Sequence, residues 1–200
     1  GVVGGILVVD ADDLIAEVIK EAKENAGERG ELAHMSHEEQ EDIFSKIGLG
    51  AIKFFIIKVQ PQKRMIFDPK ESVDMQGATG PYIQNAFVRI QSLFRKSETE
   101  QQTKVLSFPE TLNEGEKTLI QLLMTFPEVV AAAAKQYEPS GVANYAYALA
   151  KEFHKYYHET RILGAESETL KTFRLQLSKE VALALKTSLY LLGINMPDRM

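Results

Sequence analysis

Three side chains with nucleic-acid chemistry lie at helical spacing in the middle of the chain, within the stretch from Gly77 to Ile90. Tyr82, Asn85 and Arg89 are three and four residues apart, so a helix would place them on one face. Proteins use an aromatic ring, an amide and a guanidinium together to stack on an unpaired base and to hydrogen-bond its edge. The alternative is a solvated helix face with a tyrosine at its edge.

A second group of the same chemical types follows on a segment predicted to be a helix over residues 142–160. Away from the apolar stripe of that segment, one arc carries Tyr147, His154, Tyr157, His158 and Arg161. Aromatic and cationic groups on a face outside the core suit stacking on bases. Tyrosines also pack against neighbouring helices with their hydroxyl groups in water, and both interpretations stay open.

The turn before the first face has the residues that begin a helix. Gly77 and Gly80 allow the backbone to bend, Thr79 supplies a capping oxygen, and Pro81 fits a first turn that needs no backbone N–H. The spacing of the following apolar residues indicates a buried stripe, formed by Ile83, Ala86, Phe87, Ile90, Leu93 and Phe94. We therefore expect a helix that carries the polar face beside its core face.

The rest of the sequence predicts a mainly α-helical fold. Helix starts are indicated at Asp10 or Asp12, at Ser36 with Glu39, at Asn113, at Pro139 and at Ser167. The apolar run 43–58 is compatible with a strand or a helix, and we expect a helix. Residues 70–76 are predicted to form a loop, and Pro127 is expected to break or kink its helix. Residues from 80 onward predict an antiparallel helix bundle, preceded by a smaller, mostly helical connecting segment.

The formal charge of the 200-residue chain is −5, and it is unevenly distributed. Residues 10–42 hold twelve acidic and three basic side chains, net −9, whereas residues 53–96 hold eight basic and three acidic side chains, net +5. Residues 97–141 carry −4 and residues 142–200 carry +2. A polyanion would therefore meet the middle and C-terminal segments, although such blocks also occur as ordinary solvated surface.

The sequence lacks the common catalytic motifs, so no catalytic residue is assigned. It contains no cysteine, which excludes disulfides and thiolate metal sites and fits a cytoplasmic protein. It contains no Gly-Lys-Ser/Thr phosphate loop, no His-Glu-x-x-His and no Gly-x-Ser-x-Gly. The pairs His34/His37 and His154/His158 lack convincing carboxylate partners, so no metal is expected. No run approaches the roughly twenty apolar residues of a membrane span, so no membrane partner is expected.

Three stretches resemble the C-terminal part of arginyl-tRNA synthetases. They are GPYIQNA at residues 80–86, AKEFHKYYH at residues 150–158 and LGINMPDRM at residues 192–200, and the similarity covers about residues 9–200. That family consists of class I enzymes that use ATP to attach arginine to its tRNA, and its helical C-terminal domain binds the anticodon. The resemblance implies a helix bundle of this anticodon-binding type over residues 77–200. Residues 1–76 would be the C-terminal tail of the catalytic region with connecting helices.

The resemblance also implies a binding site and partners. The tRNA contacts would come from Tyr82, Asn85, Arg89, Tyr157 and Met200. The implied partners are tRNA-Arg for this chain, and arginine and ATP for the full-length enzyme, with no ATP bound to the fragment. The implied protein is a cytoplasmic monomer, and the missing His-Ile-Gly-His-like and Lys-Met-Ser-Lys-like signatures imply that this chain is inactive alone. The alternative is a non-enzymatic helical module that docks a protein partner through its aromatic helix face.

Overall fold

The computed structural model describes residues 9–27, 30–59, 63–97 and 108–200, together with the backbone of residues 2–3 and 6–7. A short antiparallel hairpin, β1 (Val2–Val3) and β2 (Ile6–Leu7), comes first. The helices are α1 (Ala11–Gly27), α2 (His37–Ile57), α3 (Pro69–Ser72), α4 (Gly80–Lys96), α5 (Glu114–Gln136), α6 (Ser140–Glu159) and α7 (Glu168–Leu191). The predicted mainly α-helical fold is confirmed.

Helix α2 confirms the helical interpretation of the ambiguous apolar run. It begins at the predicted capping box, where the Glu39 backbone N–H donates to the Ser36 hydroxyl oxygen at 3.2 Å and the Ser36 N–H donates to the Glu39 carboxylate at 2.9 Å. Its apolar residues lie three or four apart and are buried, among them Ile43, Ile47 and Phe54. A helix buries this stripe on one side, whereas a strand would divide it between two faces.

Two local predictions are wrong, a helix break at Pro127 and a loop over residues 70–76. Helix α5 continues through Pro127, because this residue removes only one backbone donor and its neighbours are held by α6. Phe126 stacks on Tyr145 with ring centroids 5.3 Å apart, and the Tyr145 hydroxyl donates to the Leu122 carbonyl at 2.8 Å. The predicted loop over 70–76 contains most of α3, whose first turn is capped by the Asp68 carboxylate.

Helix α5 also departs from the expectation that no segment has the length and composition of a membrane span. Among the residues that the structure describes, it is the one helix that is long and apolar enough, with a mean hydropathy of 1.2 over 18 residues. In this structure α5 packs along α6 and α7, as a helix of a bundle does. Length and composition alone are weak grounds for a membrane segment, since bundle helices share them.

Helix α4 occupies the centre of the molecule and packs against α2, α6 and α7. Its predicted apolar stripe is buried, apart from the half-buried Phe94. The Thr79 hydroxyl caps it by accepting from the Tyr82 N–H at 3.1 Å. The fully buried Gln84 amide donates to the Lys46 carbonyl at 3.0 Å and to the Asn195 carbonyl at 2.9 Å. Helix α4 is thereby joined to α2 and to the C-terminal segment.

Two glycines allow α2 and α4 to approach each other closely. A Cβ atom on Gly80 would lie 2.5 Å from the Gly50 carbonyl oxygen, and one on Gly50 would lie 2.7 Å from the Gln84 side-chain nitrogen. These distances are shorter than any that a methyl group tolerates. The contact between the two helices therefore requires glycine at Gly80, where the opposing atoms belong to the backbone.

We expect Gly80→Ala to lower the free energy of unfolding by about 2 kcal/mol or more, because the added methyl group pushes α4 away from α2. Denaturant unfolding followed by circular dichroism measures this change. Gly141→Ala is the matched control in the first turn of α6, where the new methyl group would meet Ala133 at an ordinary 3.9 Å. Gly141→Ala should leave stability unchanged or slightly higher. Equal effects of the two substitutions would contradict the close-approach argument.

Candidate nucleic-acid interface

A cleft of about 600 Å³ brings together four of the five predicted site residues. Asn85 and Arg89 come from α4, Tyr157 from α6, and Met200 from the C-terminal segment. The rest of the lining consists of Glu31, Leu32, Val88, Ser92, Arg95, Lys96 and Arg199. We call this site the Arg89 cleft. Its walls come from four separate stretches of the chain, so only the tertiary fold assembles it.

The Arg89 guanidinium lies over the Tyr157 ring. Its central carbon is 4.6 Å from the ring centroid, which is within the range of a cation–π interaction. Both residues are partly exposed to solvent. The pair presents a planar cation and an aromatic ring in one stack, and an unstacked base can extend such a stack.

The C-terminal segment closes one side of the cleft because the chain reverses after α7. Gly193 has a φ of +72°, and its carbonyl accepts a hydrogen bond from the Lys53 ammonium at 2.6 Å. Arg95 donates to the Asp198 carbonyl at 3.2 Å. These contacts bring Met200 into the cleft, where it is 5% exposed. Met200 therefore offers the cleft a small apolar surface rather than a mobile side chain.

The cleft is electropositive. Its lining contains four cationic side chains, Arg89, Arg95, Lys96 and Arg199, and one acidic side chain, that of Glu31. Burial and then the neighbouring Arg199 charge lower the pKa of Arg95, while Asp198 acts in the opposite direction. Mutual repulsion of this kind is relieved when a polyanion binds.

Tyr82 lies outside the lining of the Arg89 cleft. Its half-buried ring packs against Tyr147 and His154, with centroids 5.4 Å and 4.7 Å away. Burial, and to a lesser degree Tyr147, raises the pKa of the Tyr82 hydroxyl. Four of the five predicted site residues therefore line the cleft, and the fifth, Tyr82, lies beside Tyr147 outside it.

His154 corrects the sequence interpretation, which placed it on an open face with Tyr157. It is 8% exposed and lies between α6 and α4. Its Nδ1 is 2.9 Å from the Arg89 Nη1, and its Nε2 is 3.3 Å from the Tyr82 carbonyl oxygen. Burial, helped by the nearby Arg89 charge and opposed by the Tyr82 hydrogen bond, lowers the pKa of His154 to about 4.

Several lining residues were not identified from the sequence. The sequence analysis used some of these residues only in counts of charge and in the family resemblance, namely Arg95, Lys96 and the segment before Met200. Glu31 and Leu32 belong to the loop between α1 and α2, and no local pattern marks them as neighbours of α4. Among the described residues, no group of three or more His, Asp or Glu side chains could hold a metal ion.

Residues 83–200 match the family described as the DALR anticodon binding domain. The chain is 47% identical over 195 residues to the arginine–tRNA ligase of Bacteroides fragilis, and the match covers 96% of this chain and 33% of that protein. It is 44% identical over 193 residues to the arginine–tRNA ligase of Flavobacterium psychrophilum, covering 96% of this chain and 32% of the relative. The chain therefore spans about a third of the length of the curated relatives that it matches.

Two solved structures have the same fold. Arginyl-tRNA synthetase from Thermus thermophilus superposes with a TM-score of 0.86 at 30% identity, covering 96% of this chain and 32% of the other. The enzyme from Plasmodium falciparum gives a TM-score of 0.82 at 24% identity, covering 96% of this chain and 34% of the other, which is a likeness of fold.

The lowered pKa of His154 predicts a pH-dependent stability. The residue stays neutral in the folded protein down to about pH 4, but in the unfolded chain it takes up a proton near its ordinary pKa of 6.5. The unfolded state therefore binds more protons between these values, and stability falls as the pH decreases through this window. From this residue alone, we expect the free energy of unfolding to decrease by about 2 kcal/mol between pH 7 and pH 5.

Unfolding by urea at a series of pH values, compared with the His154→Gln variant, measures this effect. In the His154→Gln variant, the free energy of unfolding should lose the part of its pH dependence that His154 contributes. His158→Gln, on the exposed side of the same helix, is the control and should keep the wild-type slope. Parallel stability curves for wild type and His154→Gln would show that the pKa of His154 is not depressed.

Proposed function

The chain belongs to the DALR anticodon-binding domain family, and we propose that the Arg89 cleft binds the anticodon arm of tRNA-Arg. The chain corresponds to the C-terminal part of arginyl-tRNA synthetases. The Arg89–Tyr157 stack in the electropositive cleft supports this proposal, and both residues lie inside the stretch that matches the family. A flat cation on an aromatic ring recognises unpaired bases and their phosphates.

Each site residue has a distinct role in this proposal. Arg89 contacts a phosphate or a base edge while its plane and the Tyr157 ring stack on an unpaired base. Asn85, one turn before Arg89, hydrogen-bonds a base edge, and Met200 packs against a base. Tyr82, which is partly exposed, stacks on a second nucleotide beside the cleft.

We also propose how this chain relates to the whole enzyme. Residues 77–200 form the anticodon-binding domain, and residues 1–76 form the tail of the catalytic region with connecting helices. The full-length protein attaches arginine to tRNA-Arg with ATP and acts as a cytoplasmic monomer. This chain alone binds no ATP and is inactive. The names of the relatives and the share of their length that this chain spans support its assignment to part of an arginine–tRNA ligase.

The alternative of a protein-docking module is not favoured. Docking through an aromatic face would rest on apolar burial, but the Arg89 cleft is lined by four cations. The dependence of affinity on salt distinguishes RNA binding from protein docking. When a protein neutralises phosphates, its affinity falls steeply with ionic strength.

Arg89→Ala and Tyr157→Ala should each weaken binding of a tRNA-Arg transcript by roughly tenfold, the cost of losing a stacking or charged contact. Fluorescence anisotropy with labelled transcript measures the dissociation constants, and circular dichroism verifies that the variants remain folded. The controls remove a cation and an aromatic ring from exposed positions elsewhere in the bundle. Lys135→Ala on α5 and Tyr190→Ala on α7 should bind as wild type does. Wild-type affinity of both cleft variants would contradict the site assignment.

Affinity for the native transcript should fall with salt, and a transcript with an altered anticodon should bind more weakly at every salt concentration. Arg89→Ala should reduce the slope of log affinity against log salt by about one if the guanidinium contacts a phosphate. Binding that is insensitive both to salt and to the anticodon would reject the anticodon-arm proposal in favour of protein docking.

A further inference from the structure

We propose that His154 is a positioning residue, which holds the Arg89 guanidinium against the Tyr157 ring so that the cation is ordered before RNA binds. This inference rests on the proposed function, since it assigns the means by which the same cleft is organised. His154 itself is buried behind Arg89 and is not among the residues that line the cleft.

The hydrogen bonds of His154 determine its tautomer. A guanidinium only donates, so the Nδ1 that lies 2.9 Å from Arg89 must be an unprotonated acceptor. A carbonyl oxygen only accepts, so the Nε2 that lies 3.3 Å from the Tyr82 carbonyl must carry the proton. The neutral ring with its proton on Nε2 is the one form that satisfies both partners. Anchored to the α4 backbone through Tyr82, the ring directs its acceptor at Arg89 seven residues farther along α4.

Arg89 is held by a neutral imidazole rather than by a carboxylate. Among the described residues, no carboxylate forms a salt bridge with Arg89. Imidazole therefore restrains the arginine without cancelling its charge, and the full cation remains available to a phosphate or a base. A carboxylate would fix the side chain equally well but would compete with the RNA for it.

Preordering matters because an arginine side chain loses substantial rotamer freedom when it is fixed. In this structure the guanidinium is restrained on two sides, by the imidazole nitrogen at 2.9 Å and by the Tyr157 ring at 4.6 Å. The ordering cost is then met during folding rather than during binding, and affinity rises accordingly.

Two amide variants separate the two hydrogen bonds of the ring. In His154→Asn the amide oxygen replaces the Nδ1 acceptor near Arg89, whereas in His154→Gln the amide nitrogen replaces the Nε2 donor to Tyr82. If His154 acts through Arg89, Asn should retain wild-type affinity for the tRNA-Arg transcript within about twofold, and Gln should lose roughly tenfold, the value of one hydrogen bond to a charged group. Equal affinities of the two variants, or a larger loss for Asn, would overturn the inference.

A double-mutant cycle tests whether the effect passes through Arg89. In an Arg89→Ala background, His154→Gln should cause no further loss of affinity, because the residue that it positions is absent. A merely structural role would weaken binding by the same factor in both backgrounds, and that outcome would also overturn the inference.

A measurement without RNA distinguishes failure of this inference from failure of the proposed function. In the NMR spectrum, the side-chain protons of Arg89 should be shifted upfield by the Tyr157 ring in wild type and in His154→Asn, and this shift should be lost in His154→Gln. If the wild-type protein does not bind the transcript, the proposed function fails while this comparison still decides the positioning role. An upfield shift that persists in His154→Gln would refute it.

Discussion

The backbone contact between Gly50 of α2 and Gly80 of α4 is the constraint on which the Arg89 cleft depends. It sets the start of α4 directly against a carbonyl of α2, and Gln84, one turn later, hydrogen-bonds both α2 and the C-terminal segment. Arg89 follows Gly80 by nine residues, about 13 Å along a helix. Because this distance is spanned by an uninterrupted helix, the anchoring at Gly80 fixes the depth and direction of the Arg89 side chain in the cleft.

The protein holds its arginine side chains in two ways, either by pairing with a carboxylate or by hydrogen bonds to neutral groups. Between α5 and α7, the buried Glu116 carboxylate pairs with Arg174 at 3.3 Å, so that the charge of this arginine is neutralised within the fold. At the cleft, Arg89 is held by a neutral imidazole and Arg95 by a backbone carbonyl. These arginines keep their charge, and burial first and the neighbouring Arg199 charge second lower the pKa of Arg95. Cations arranged in this way gain stability when an anion binds.

Local signals allowed the helices and part of the site to be predicted. Four helix starts were predicted correctly, because capping involves only neighbouring residues. They are capped by Ser36, Thr79, Asn113 and Ser167. The helix break predicted at Pro127 is wrong, because the packing of α5 against α6 outweighs the local cost of the proline, and the local sequence pattern does not contain that packing. The depth of His154 was also missed, since it depends on how α4 and α6 cross, and its partner Arg89 is 65 residues away. Periodicity identifies the face of a helix, but the neighbouring helix decides whether that face is open.

The cleft also bears on how the chain divides into functional parts. Glu31 and Leu32, from the loop between α1 and α2, form a wall opposite residues of α4, α6 and the C-terminal segment. The boundary proposed near residue 76 therefore separates parts of the chain that meet in one site. Leu32 is itself buried, and the Gln40 side chain donates to its carbonyl at 3.0 Å, so this wall is held in place by α2. Because α2 contacts α4 at Gly50 and supports the loop that faces Arg89, residues before 76 shape the Arg89 cleft directly.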